Sequence, residues 1–86
     1  MNPDMEQIAR TAKQIGAALR RRRRSIPLSQ TELGRRTGLR QATISALENG
    51  EQGVELRTLV NVTTALGLEM VIRERTKASE NIEDVF

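Results

Sequence analysis

The chain has 86 residues, 37% hydrophobic and 1% aromatic, enough for one small domain whose core must come from Leu, Ile, Val, Ala and Met. It has neither cysteine nor histidine, which excludes disulfides and thiolate metal sites and removes the usual general base and the commonest metal ligand. The net charge of +3 hides a gradient, with ten Lys/Arg against four Asp/Glu in residues 1–50 and four against seven in residues 51–86. A basic half suits a polyanion and an acidic half suits a different surface.

Nothing in the chain approaches the apolar length needed to cross a bilayer, and its first residues lack the apolar stretch of a signal peptide. The expectation is a cytoplasmic protein with no membrane partner. A core this small is often completed by a second copy, so a homodimer is expected as well.

In chain order, the first helix is predicted from Asp4, capped by that carboxylate with Gln7 three residues on. Ile8, Ala12, Ile15 and Leu19 form its apolar stripe, and Ile26-Pro27 stops it. The same periodicity puts Arg23 on the buried face and turns Arg20, Arg21 and Arg24 outward. The Arg20–Arg24 run reads either as a solvated face or as a set of phosphate contacts.

A second helix starts at Ser29, where Ser29-Gln30-Thr31-Glu32 is a capping box, and ends at Thr37-Gly38. A third spans Gln41 to Glu48, stopped by Asn49-Gly50, and a fourth spans 55–66, closed by Gly67. The period then changes. Leu68, Met70 and Ile72 alternate with Glu69, Val71 and Arg73, a strand over 68–75 that has no partner in this chain. Met5 and Met70 read as core or interface filler. From Thr76 the chain is polar and acidic, expected to be disordered when alone. Glu80, Glu83 and Asp84 read there as solvated charges rather than a cation site, and Phe86 as a frayed end or a docking anchor.

Two short helices around Gly38, the second amphipathic, have the form of a helix-turn-helix. Gly34 lets them approach, and Leu33, Leu39, Ile44 and Leu47 point inward. Gln41, Ala42, Ser45, Ala46 and Asn49 form the outward face of the third helix, free of large apolar groups. Such a face suits the major groove. Glutamine pairs with adenine N6 and N7, serine bonds either base type, and alanine meets a thymine methyl. Arg40, just before the helix, is placed for guanine or phosphate.

The stretch from Leu28-Ser29-Gln30-Thr31-Glu32-Leu33 to Ile44-Ser45-Ala46-Leu47-Glu48-Asn49-Gly50, with Leu66-Gly67-Leu68 beyond it, resembles the Cro/C1-type (XRE) helix-turn-helix family over about residues 15–68. The resemblance implies an all-α, lambda-repressor-like domain of four to five helices with one C-terminal strand pairing across a dimer. By position it implies base contacts from Gln41, Ala42 and Ser45, and phosphate-contacting or helix-positioning roles for Gln30 and Thr43. It also implies an ion pair between Arg23 and Glu48. Two residues depart from the family pattern: Thr37 stands where an apolar residue is usual and Gly34 where alanine is usual, both expected to weaken packing slightly.

Within that family, Arg40-Gln41-Ala42-Thr43-Ile44-Ser45, the strand and the short polar tail are similar to HipB-like antitoxins. That likeness implies a homodimer on palindromic double-stranded operator DNA, repression of its own operon, and neutralisation of a HipA-like serine/threonine kinase toxin. The domain reading is a helix-turn-helix unit over 1–67, a dimerisation strand over 68–75 and a flexible acidic tail over 76–86. The alternatives in the same fold are a free-standing regulator of phage-repressor or restriction-modification-controller type, or a protein-interaction scaffold. No nucleophile–base pair can be drawn, so no enzyme and no cofactor is expected.

Overall fold

A computed structural model describes residues 6–75 and sets four helices in order: α1 (Ala12–Ser25), α2 (Gln30–Thr37), α3 (Gln41–Glu48) and α4 (Leu56–Ala65). The expectations for Asp4, Met5, Glu80, Glu83, Asp84 and Phe86 lie outside the described residues.

α1 starts later than an Asp4 cap requires. Thr11 is its N-cap, with its side chain accepting from the Gln14 amide at 3.0 Å, while the Gln14 side-chain oxygen takes the Arg10 amide at 2.6 Å. Thr11-Ala12-Lys13-Gln14 is itself a capping-box pattern, so the sequence carries the signal for this start. Ile8 therefore stands before the helix, half exposed, and Ala12 is exposed; the buried stripe is Gly16, Leu19 and Arg23. The helix ends at Ser25, just before Ile26-Pro27, as expected.

α2 is capped by Ser29, which accepts from the Glu32 amide at 3.0 Å. The reciprocal half of the predicted box is replaced, because the Glu32 carboxylate engages Arg35 Nη1 at 2.6 Å. The ends of α2, α3 and α4 share one device. Gly38, Gly50 and Gly67 adopt positive φ, and the following residues Leu39, Glu51 and Leu68 donate back to Gly34, Ala46 and Thr63. This satisfies carbonyls that a helix end otherwise orphans.

The core gathers Leu19 from α1, Leu28 from the α1–α2 turn, Leu33 from α2, Ile44 and Leu47 from α3, and Val62 and Leu66 from α4. Leu39 packs at its edge. Leu33, Ile44 and Leu47 are thus buried as the sequence implies. α3 lies against both α1 and α2, and α4 lies against α2.

Backbone proximity decides which residues fit these crossings. A Cβ on Gly34 would come within 2.6 Å of the Leu39 carbonyl oxygen, so the expectation that glycine weakens packing here is corrected: alanine has no room at this spacing. A Cβ on Gly16 would collide with the carbonyl oxygens of Glu48 and Leu47, which makes glycine the residue that lets α1 cross the end of α3. Thr37 does not leave an unmatched polar group, since its hydroxyl donates to the Leu33 oxygen at 2.8 Å. Its own carbonyl accepts from Asn61 Nδ2 at 3.0 Å, tying α4 to α2.

No strand occurs among the described residues. Leu68 packs on the core, but Met70, Val71 and Ile72 are all exposed, so the expected strand over 68–75 is not formed within one chain. The physical reason is the one the sequence carries: a ladder needs a second strand, and none stands among the described residues.

Candidate nucleic-acid interface

α3 presents the face expected of it. Gln41, Ala42 and Asn49 are exposed, Thr43, Ser45 and Ala46 are half-buried, and Ile44, Leu47 and Glu48 face the interior. Burying Ile44 and Leu47 against α1 and α2 leaves a side of the helix lined only by amide, hydroxyl and methyl groups. Arg40 is the exposed N-cap residue and makes no side-chain cap. The Thr43 amide donates to the Arg40 carbonyl at 3.0 Å, so the Gln41 and Ala42 amides are the ones left to solvent or to an anion.

Beneath this face lies a connected polar network. Arg23 Nε and Nη2 meet the two Glu48 carboxylate oxygens at 2.6 and 2.9 Å, and Arg23 Nη1 donates to the Leu28 carbonyl at 2.8 Å. Both residues are buried, so the ion pair that the family likeness implied is present, bidentate and nearly dry. Burial alone would push the Glu48 carboxyl up. Hydrogen bonds from Arg23 and Gln30, with the charges of Arg23 and Arg20, hold it below its ordinary value instead. The Arg23 guanidinium is raised by the hydrogen bond to Glu48, against the opposing cost of burial.

The network reaches the surface through Gln30. Its Nε2 donates to Glu48 Oε1 at 3.0 Å, and its Oε1 accepts from Gln41 Nε2 at 2.5 Å. Gln30, on the first turn of α2, and Gln41, on the first turn of α3, are therefore joined. The structure brings together six of the expected residues, Gln41, Ala42, Thr43, Ser45, Ala46 and Gln30, around these two helix starts, with Arg40 at the rim.

A feature that sequence periodicity does not reveal borders the other end of α3. A cleft of about 400 Å³ is lined by Lys13, Ala17, Arg20, Arg21, Arg24, Glu48 and Asn49. Asn49 lies beside Ser45, with Nδ2 to Oγ at 3.5 Å, so the cleft continues the outward face of α3. Lys13, Ala17, Arg20 and Arg24 share one side of α1 by helical spacing. Their place beside Asn49 depends on the Gly16 crossing, which no local pattern encodes.

Comparison with known proteins agrees with this geometry. A family model described as a helix-turn-helix domain matches residues 14–75. In sequence, the chain is 38% identical over 79 residues to the uncharacterized HTH-type transcriptional regulator y4dL of Sinorhizobium fredii (strain NBRC 101917 / NGR234). The match covers 90% of this chain and 40% of that protein, so the chain spans two fifths of the length of this curated relative.

Among solved structures, a HipB–O4 20mer complex superposes with a TM-score of 0.77 at 28% identity, covering 83% of this chain and all of the other. A HipA–HipB–O2–O3 complex gives 0.76 at 28% identity, with 83% and 100% covered. Among the described residues, no helix is long and apolar enough to cross a membrane. With the two helices packed around Gly38, the buried Arg23–Glu48 pair and a family model covering most of the chain, this protein belongs to the XRE-type helix-turn-helix domain family, with HipB structures as structural neighbours.

Proposed function

We propose that this protein is a sequence-specific DNA-binding repressor that acts as the antitoxin of a HipA-type kinase and regulates its own operon. The observation that carries the reading is the pair of joined helix starts: Gln41 held by Gln30, beside a row of small groups at Ala42, Ser45 and Ala46. Such a surface, without large side chains, suits a major groove and offers an amide and a hydroxyl to base edges. Gln41, Ala42 and Ser45 read bases, while Gln30, Thr43 and Arg40 position the helices and meet phosphates. The toxin partner is supported by similarity to HipB, one of whose structures is a HipA–HipB–O2–O3 complex.

In this reading residues 1–67 bind DNA, 68–75 pair with the same segment of a second copy, and 76–86 form a flexible acidic tail. Two-fold pairing sets two copies of α3 about 34 Å apart, one turn of duplex, and so calls for a palindromic operator. Exposed Met70, Val71 and Ile72 supply apolar side chains for that seam.

The test of the toxin reading is affinity purification of the tagged chain from its own cells. A kinase-like protein is expected in stoichiometric amount with a dimer of this chain. A dimer that binds operator DNA with no such partner would assign the chain to the free-standing regulators.

Base readout has its own expected outcome. Gln41→Ala should weaken operator binding by about 1–3 kcal/mol and relax preference at one base pair, with little change on unrelated DNA. Equal losses on both DNAs in a titration would instead give Gln41 a phosphate or structural role.

A further inference from the structure

We infer that the cleft between α1 and the end of α3 is a seat for a backbone phosphate of duplex DNA, held by Lys13, Arg20 and Arg24. The inference rests on the DNA-binding reading and extends the contact surface to a helix outside the helix-turn-helix pair.

The lining has four cationic side chains against one carboxylate. That carboxylate, Glu48, is already satisfied by Arg23 and Gln30, so its charge is matched from the protein side. Arg21 is also engaged, with Nε and Nη2 both donating to Gln7 Oε1 at 2.8 and 2.5 Å. Lys13, Arg20 and Arg24 are exposed, and none has a hydrogen-bond or ion-pair partner among the described residues. Arg20 feels the Glu48 charge, but that carboxylate is already paired with Arg23, so the three cations outnumber the anionic charge the fold supplies at the cleft. Such an arrangement raises the local potential toward an anion.

The cleft has room for one. Ala17 lies one turn from both Lys13 and Arg20 and contributes only a methyl group, so the space between the cations stays open. Position selects the kind of anion. Asn49 is both a wall of the cleft and a member of the outward face of α3. With α3 in a major groove, the strand bordering that groove passes its end, where a phosphodiester meets the three cations. Arginine and lysine at such sites fix register and carry the salt-dependent part of affinity.

The test compares three full-length proteins: wild type, R20A/R24A, and R35A/R57A, which removes the same charge from exposed sites away from the cleft. Each is titrated by fluorescence anisotropy between about 50 and 200 mM salt. The probes are a random-sequence duplex and a duplex enriched from a random library by the wild-type protein.

R20A/R24A should flatten the plot of log affinity against log salt by about 0.9 for each phosphate no longer neutralised, or roughly 1–2 in slope. Its affinity should fall on the order of ten-fold on both duplexes alike, while R35A/R57A matches wild type. A slope unchanged in R20A/R24A, or changed equally in the control, overturns the phosphate seat and leaves the DNA reading standing. A loss confined to the enriched duplex overturns it too, since that marks base selection. Salt-independent or absent binding by wild type overturns the DNA reading itself, and the seat with it.

Discussion

Glu48→Ala should lower folding stability by about 3–5 kcal/mol, the loss typical of breaking a buried pair from one side. Arg23 would remain buried, keeping the Leu28 carbonyl but losing both carboxylate oxygens. Gln30 Nε2 would lose its acceptor in the same step. In a domain of this size each kcal/mol shifts Tm by about 4–8 °C, so thermal melting should show a drop of more than about 12 °C. Arg21→Ala, which removes an exposed neighbour, should barely move it. Similar losses in the two variants would reduce Arg23 to one member of a solvated run. The double variant R23M/E48L should recover much of the loss, because a matched apolar pair leaves no bare charge behind.

The same carboxylate sets an acid limit. Its folded pKa lies below its unfolded one, so its stabilisation is fully present above the ordinary value of 4.5 and disappears as pH falls through the folded value. Melting temperature should therefore decline below about pH 4.5, less steeply in Glu48→Gln than in wild type.

The second large effect is expected at Gly16. Alanine is about 1 kcal/mol better than glycine inside a helix, so propensity alone predicts a gain from Gly16→Ala. The crossing predicts the opposite, because the new methyl would strike the carbonyl oxygens of Leu47 and Glu48, backbone groups that cannot rotate aside. Separating α1 from α3 to make room should cost about 1–3 kcal/mol net. Denaturant unfolding decides the sign, and a raised midpoint would mean the two helices part without penalty.

Local chemistry makes most of this fold legible. The Ser29 cap, the Gly38, Gly50 and Gly67 stops, and the Leu33, Ile44 and Leu47 spacing each state their role within a few residues of chain. The start of α1 is ambiguous by comparison, because Asp4 and Thr11 both fit an N-cap, and the structure uses Thr11, with the Gln14 side chain taking the Arg10 amide just before it. Alternation over 68–75 marks a strand without supplying a second strand for it, and among the described residues no strand forms there. Gly34 escapes local reading for a different reason: its surroundings come from the turn folding back over it. At the candidate site, the outward residues of α3 follow from periodicity. The Gln30–Gln41 contact and the Lys13–Asn49 cleft do not, since each joins residues from different helices.

The Gln30 bridge also bears on how long a complex with DNA would last. A free glutamine side chain gives up about 1.5–2 kcal/mol of rotamer freedom when it is fixed. Gln41 has surrendered part of that freedom beforehand, because Gln30 holds its amide while Glu48 holds Gln30. A side chain already set in place has less disorder to regain on leaving, so the advantage falls on dissociation rather than encounter. The interior ion pair, some distance from any base, would then act as a brake on release, and loosening it would shorten residence time before it altered sequence preference.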